Sequence, residues 1–320
     1  MTIVVQAASR KITNTLRVKM DLDHLLLIVL TLLCTGLQAV TASEWGYWGK
    51  YGPKTWSELC ATGRRQSPIN IVTEDAIRID LGALKFDRYD FAFSGKLINN
   101  GHTIQIKLDG IPIHLSGGSL PSVYVLEQMH FHWSAEHTVD GVRDPLELHL
   151  VHYNNQYANF SEAMQHEDGI VVVAVLFEVI NNSDNQDLMP ILETVKLVSN
   201  WVGKNTASMR NKLIPLLLLP KDHTTYYRYE GSLTTPGCQE SVTWFVMTEK
   251  LPISEAQMNM FKHVQSNNGT LKYNYRPTQE LGNRKVHHRL EGYNSTSSLY
   301  TSNIILVVNI FLVSLLYKNF

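Results

Sequence analysis

The chain has 320 residues, 44% of them hydrophobic and 18% charged, the balance of a soluble globular protein and not of a disordered or fibrous one. A formal net charge of −1 offers no basic surface for nucleic acid and no strong field for an acidic partner. Without the two terminal segments described below, roughly 250 residues remain, the upper range for one domain around one core.

Residues 1–42 have the layout of a secretory signal peptide preceded by an extension. Arg10, Lys11, Arg17 and Lys19 come before the apolar run LLLIVLTLL at 25–33, and Val40-Thr41-Ala42 supplies a small-residue cleavage site. Met20 is an alternative start, and an uncleaved membrane anchor is the alternative reading of the run. Cys34 would leave with the signal, so Cys60 and Cys238 remain as an even pair. In an exported chain such a pair reads as a disulfide, with two free buried thiols as the alternative.

Strand patterns dominate the middle of the chain, with no internal repeat and no linker. A turn dipeptide at Asn100-Gly101 follows KLIN and precedes the alternating TIQIK at 103–107. Residues 111–115 alternate, 123–126 lead into 129–133, and 146–152 alternate over seven residues. The runs at 169–177 and 242–247 are nearly continuous in apolar residues, as for strands buried on both faces. Helical spacing is confined to Asp187–Val198 and to Ser254–Val264, where Ser254 is placed as N-cap. The expected fold is mostly β (α+β): one domain over residues 43–290, a large, predominantly antiparallel sheet with short peripheral helices. Asn159, Asn181, Asn268 and Asn294 open N-x-S/T triplets, which glycosylation in the secretory pathway would use.

The C-terminal segment 291–320 reads as a glycosylphosphatidylinositol (GPI) attachment signal. Small residues at 294–298, a mostly polar spacer at 299–303 and the apolar run IILVVNIFLVSLLY at 304–317 follow the required order. Asn294, Ser295 or a nearby serine would carry the lipid. The alternatives are a core strand and a single membrane span, although a spanning helix needs about 20 residues.

There are 13 histidines, unevenly spread. Residues two apart on a strand share a face, so His130 and His132 project side by side while Phe131 and Trp133 pack behind them. On the strand at 146–152, Glu147, His149 and Val151 share one face. If the two strands are neighbours, His149 completes a face of three imidazoles, the ligand set of a catalytic zinc site with one open position. An isolated H-x-H pair is also found as plain strand surface; the third histidine at matching phase points to a metal.

Several longer stretches carry a resemblance. QMHFHW at 128–133, SAEHTVDG at 134–141, ELHLVH at 147–152 and GSLTTPGC at 231–238 closely resemble the signatures of alpha-class carbonic anhydrases, in family order. WGY at 45–47, RQSPINI at 65–71, NNGH at 99–102 and NYRP at 274–277 do so too. The likeness spans roughly 44–288 and implies that family's fold and its reaction, the reversible hydration of carbon dioxide to bicarbonate and a proton, with one Zn2+.

Residue roles follow from the resemblance. His130, His132 and His149 look like the zinc ligands, and Gln128 and Glu147 like the acceptors that orient ligand imidazoles. Thr234 resembles the gatekeeper hydroxyl that donates to Glu136. Val151, Val172, Leu233 and Trp244 look like the apolar wall for carbon dioxide, with Thr235 beside it. His102 resembles the proton shuttle, a role suited to an imidazole near pKa 6.5, with Tyr47, Asn100 and Gln105 along the water path. Cys60 and Cys238 match the disulfide of extracellular members. One departure is visible: only Ser134 and Ala135 separate Trp133 from Glu136, where many relatives have a longer loop. The expected location is the outer face of the plasma membrane, held by the lipid anchor (alternatively by a single span), near bicarbonate or proton transporters. The alternatives to the enzyme are a catalytically weak, carbonic-anhydrase-like binding ectodomain and another zinc hydrolase such as an esterase.

Overall fold

Most of the main strands lie where alternation or a continuous apolar run predicts them. The computed structural model describes residues 45–290 apart from Asn182 and Lys204, and the short segments Thr2–Val4 and Arg17–Lys19. Those two segments pair antiparallel within a separate N-terminal unit. The remainder of the expected signal peptide, the GPI signal and Asn294 lie outside the described residues.

Seven strands carry the central sheet: β1 (Ser94–Asn99), β2 (Ile104–Asp109), β3 (Tyr124–Trp133), β4 (Leu146–Asn154), β5 (Ile170–Val179), β6 (Tyr226–Gly231) and β7 (Val242–Met247). Their spatial order is β1-β2-β3-β4-β5-β7-β6, and shorter strands extend the edges. Neighbours among these seven run antiparallel, except β5 and β7, whose pairing is parallel. The architecture is thus mostly β, as expected, with one parallel join at its centre.

β5 shows why a near-continuous apolar run is needed. Ile170 through Phe177 are all buried, and only Glu178 and Val179 emerge. Val171, Val173, Val175 and Phe177 join one core, with Phe131, Trp133, Leu148 and Leu150. Ile170, Val172, Ala174 and Leu176 join a second core on the other face, with Val151, Trp244 and Val246. Each such side chain contributes roughly 1.5–3 kcal/mol when fully buried.

Among the described residues, two helices are the longest. α1 (Met189–Val198) follows a 3-10 turn at Gln186–Leu188, so the start expected at Asp187 is a tighter turn, capped by the Asn185 side chain. Pro190, which lacks the N–H a helix interior needs, sits in the first turn of α1. α2 (Glu255–Phe261) is shorter than the expected Ser254–Val264, because the chain folds back into a small hairpin pairing Gln265–Ser266 with Gly269–Thr270. Ser254 is its N-cap, in a capping box with Gln257. The strand expected over 111–115 starts only at His114, two residues beyond Pro112. β6 was not singled out in the sequence at all.

Two local features position the site. The β1–β2 hairpin turns at Asn100-Gly101, where Gly101 takes φ +89 and the Asn100 Oδ1 accepts from the N–H groups of His102 and Thr103. Cys60 and Cys238 form a disulfide with a Cα–Cα distance of 5.0 Å, bringing the helical turn at Leu59–Thr62 to the loop after β6. Asn159, Asn181 and Asn268 are all exposed. Among the described residues, no helix is long and apolar enough to cross a membrane.

Candidate metal centre

The sheet register brings the three histidines together. His149 on β4 lies directly opposite His130 on β3, and Glu147 opposite His132. Gln105 on β2 extends the same row past His130, and Ala174 on β5 extends it past His149. The small Ala174 side chain leaves the imidazoles room. One available donor atom from each of His130, His132 and His149 lies within 4.8 Å of the others.

Each imidazole has its other nitrogen occupied. His130 Nδ1 meets Gln128 Oε1 at 2.9 Å, and His149 Nε2 meets Glu147 Oε1 at 2.6 Å. His132 Nδ1 donates to the main-chain carbonyl of Asn274 at 2.5 Å. These bonds place the protons outward and turn His130 Nε2, His132 Nε2 and His149 Nδ1 inward as lone pairs. His130 Nε2 and His149 Nδ1 face each other at 3.3 Å. His132 Nε2 is buried with no hydrogen-bond partner. Burial pushes all three histidines towards the neutral form, His132 to about 4. A neutral set of converging imidazole lone pairs, one of them orphaned, fits a zinc ion.

Glu147 anchors this arrangement. Burial disfavours its charge, but His137 and His149 reverse that and hold its carboxyl well below the usual range. It also accepts from the N–H groups of Glu136 and His137, both at 2.8 Å, and from His137 Nδ1 at 2.7 Å. His137 in turn reaches the Tyr229 hydroxyl at 2.7 Å. His137, Glu147 and His149 also cluster closely enough to hold a metal. Their donors are spent on one another, so this is a hydrogen-bonded support. The sequence reading gave no role to His137, Tyr229 or Asn274, although NYRP and EHTVDG contain two of them.

The shortened loop seats Glu136 all the same. Ser134 takes φ +66, and the N–H groups of Ser134 and Ala135 donate to the carbonyls of Pro145 and Asp144. Glu136 ends fully buried, its Oε1 accepting from Arg276 N at 2.8 Å and its Oε2 lying 3.5 Å from His132 Nε2. Burial raises its carboxyl to about 7, against the opposing pull of His149, Arg276 N and the Thr234 hydroxyl. Oε2 is left without a hydrogen-bond partner.

The three imidazoles floor a cavity of about 350 Å³. Gln128, Val151, Val172 and Trp244 form a second row across β3, β4, β5 and β7. With Leu233, these last three give the cavity one apolar side; Thr234 and Thr235 stand beside it. Tyr47, Asn100, His102 and Gln105 add polar groups to the lining. Glu136 and Glu147 lie behind the lining. Trp45, Phe160, Met164, Pro236 and Gln239 also line the cavity, and sequence reasoning had assigned them no place in it. His102 departs from the expected pKa near 6.5: burial lowers it to about 4.

Fold and site define a class: a mostly β protein whose central sheet presents three histidines and an open position to a half-apolar cavity. The family model of the eukaryotic-type carbonic anhydrases matches residues 51–290, and the chain belongs to that family. It is 33% identical to carbonic anhydrase 6 of Mus musculus over 82% of this chain and 85% of the relative. It is 37% identical to carbonic anhydrase 4 of Oryctolagus cuniculus over 73% and 79%. With carbonic anhydrase 3 of Homo sapiens the identity is 35% over 77% and 98%.

Proposed function

We propose that this chain catalyses the reversible hydration of carbon dioxide to bicarbonate and a proton, with one zinc held by His130, His132 and His149. The observation that carries the reading is the convergence of three neutral imidazole nitrogens beneath a largely apolar wall, whose one indole N–H is spent on the Ser232 carbonyl. Zinc there would lower the pKa of a bound water to about 7, the value known for carbonic anhydrases, and so supply hydroxide at neutral pH.

The chain's own residues do the rest. Gln128, Glu147 and the Asn274 carbonyl hold the ligand rings in orientation. Val151, Val172, Leu233 and Trp244 give linear, apolar carbon dioxide a dry surface. The Thr234 hydroxyl donates a hydrogen bond to the Glu136 carboxyl, which leaves the Thr234 oxygen as an acceptor that orients the attacking group. Arg276 N keeps Glu136 aimed. His102 passes the released proton outward past Tyr47, Asn100 and Gln105.

Stopped-flow carbon dioxide hydration tests this. Chelation should abolish activity and one equivalent of zinc should restore it. A zinc-loaded protein without hydration activity would leave the binding ectodomain as the better reading. The presence of all three ligand histidines together with Glu136 and Thr234 favours the enzyme.

We further infer export and a lipid anchor on the outer cell surface, close to bicarbonate or proton transporters. The Cys60–Cys238 disulfide supports export, since such bonds persist in oxidising compartments. Phosphatidylinositol-specific phospholipase C should release activity from intact cells. Retention on the cells, with Phe320 still present in the mature chain, would favour a membrane span.

A further inference from the structure

The segment between the Gln265–Thr270 hairpin and the last described strand is irregular, yet it bonds to His132, Trp133 and Glu136. Trp133 Nε1 donates to the Leu271 carbonyl at 2.6 Å, and Arg276 N holds Glu136. Between them lies Asn274, with no exposed surface. Its main-chain carbonyl accepts from the ligand His132. Its carboxamide joins β3 to the β1–β2 turn: Oδ1 accepts from Trp133 N at 2.8 Å, and Nδ2 donates to the carbonyls of Phe131, at 2.8 Å, and His102, at 3.1 Å. Both N–H groups and one of the two oxygen lone pairs are engaged.

From this geometry we propose that Asn274 is a positioning residue for His102: one NH2 group clips the tip of the β1–β2 hairpin to β3. Asn100 at that tip bonds His102, Thr103 and Gln105 within the hairpin, and Thr103 Oγ1 donates to the Phe131 carbonyl on β3, so the Asn274 bond is the one that reaches the His102 carbonyl itself from outside the hairpin. The Asn274 bond runs outward, to the strand that carries His130 and His132. The His102 carbonyl is part-buried, so losing its donor costs hydrogen bonding that water only partly replaces, and the amide favours the seated tip. The distance from His102 to the metal centre is thereby set by the residue whose carbonyl orients His132.

The inference rests on the carbon dioxide hydration reading, and its test has a readout independent of it. Asn274→Asp keeps the shape and the acceptor for Trp133 N but removes the two donors. Zinc content should stay at one per chain while the His102 imidazole proton resonances lose the ring-current shift imposed by Trp45. Turnover in dilute buffer should fall on the order of tenfold, within the roughly 10²-fold that a misplacement of about 1 Å can cost. kcat/KM should hold, and added imidazole should restore turnover. Asn274→Leu, uncharged and of similar shape, removes the same donors should the buried carboxylate prevent folding. His102 resonances that do not move overturn the proposal, whatever the activity does. Loss of zinc or of kcat/KM along with turnover overturns it too, making Asn274 a support of His132 alone. If the parent protein fails to hydrate carbon dioxide, the hydration reading falls, and the His102 resonances still decide the positioning role.

Discussion

The imidazole of His102 lies flat against the indole of Trp45, with ring centroids 3.6 Å apart and planes within 5° of parallel. The stack removes one face of His102 from water, and burial lowers its pKa to about 4. Trp45→Ala should therefore raise the His102 pKa towards 6.5, followed by NMR titration. His102→Ala should lower turnover in dilute buffer and spare kcat/KM, with imidazole restoring the rate. A His102 titration unchanged by loss of the indole would show that other groups bury it.

The metal centre predicts a graded loss. His149→Ala removes one of three donors and should weaken zinc binding by several orders of magnitude. Glu147→Gln keeps the donors but loses the charge that orients His149, and should cost about 10–100-fold. Competition with a chromophoric chelator measures both. Equal affinities in the two variants would reject the division between ligand and orienting group.

Thr234→Ala should reduce kcat/KM by about 10²-fold, the scale for one polar group fixed at a reacting centre. Zinc content should be unchanged. Near-wild-type kinetics would mean that the Glu136 carboxyl, beyond its short loop, does not work through Thr234.

Zinc-stripped protein should lose stability in mild acid. His102, His132 and His152 titrate near 4, 4 and 3 in the folded chain because burial disfavours their charge. Unfolded, they titrate near 6.5. Their contribution is complete above pH 6.5 and is lost as pH falls from 6.5 towards 4, where the unfolded chain binds more protons. Glu136 acts in the opposite sense: its pKa is raised to about 7, so its contribution is present below about 4.5 and lost as pH rises through 7. Three groups outweigh one, and the thermal midpoint at pH 5 should lie below that at pH 7. A higher midpoint at pH 5 would contradict this balance.

Much of the site was legible because strand periodicity is strict. The phase of His130, His132, Glu147, His149 and Val151 fixed their shared face before any register was known. The register itself, His149 opposite His130, depends on backbone pairing that alternation alone does not specify. Asn274, His137 and Tyr229 were invisible as site residues because they act through hydrogen bonds between distant segments, and no local pattern marks such bonds. β6 escaped because its alternation is between tyrosines and charged residues, not between apolar and polar ones. The pKa of His102 was misjudged for a related reason: the stacking partner lies 57 positions earlier in the chain, and its contact exists only once the fold has closed.

The parallel join between β5 and β7 separates the cavity floor from part of its wall in time as well as in sequence. β3 and β4 are near neighbours along the chain and can pair as soon as both have left the ribosome, bringing the ligand histidines together early. Trp244 arrives only when β7 docks on β5, after everything from Ile180 to Ser241 has been made. Contacts between distant segments form late because closing a long loop costs entropy before any pairing rewards it. A nascent chain halted before β7 would thus carry the three histidines on one paired face while the Trp244 side and the Asn274 carbonyl that turns His132 are still missing, so the floor of the cavity is laid before its wall and its last orienting group.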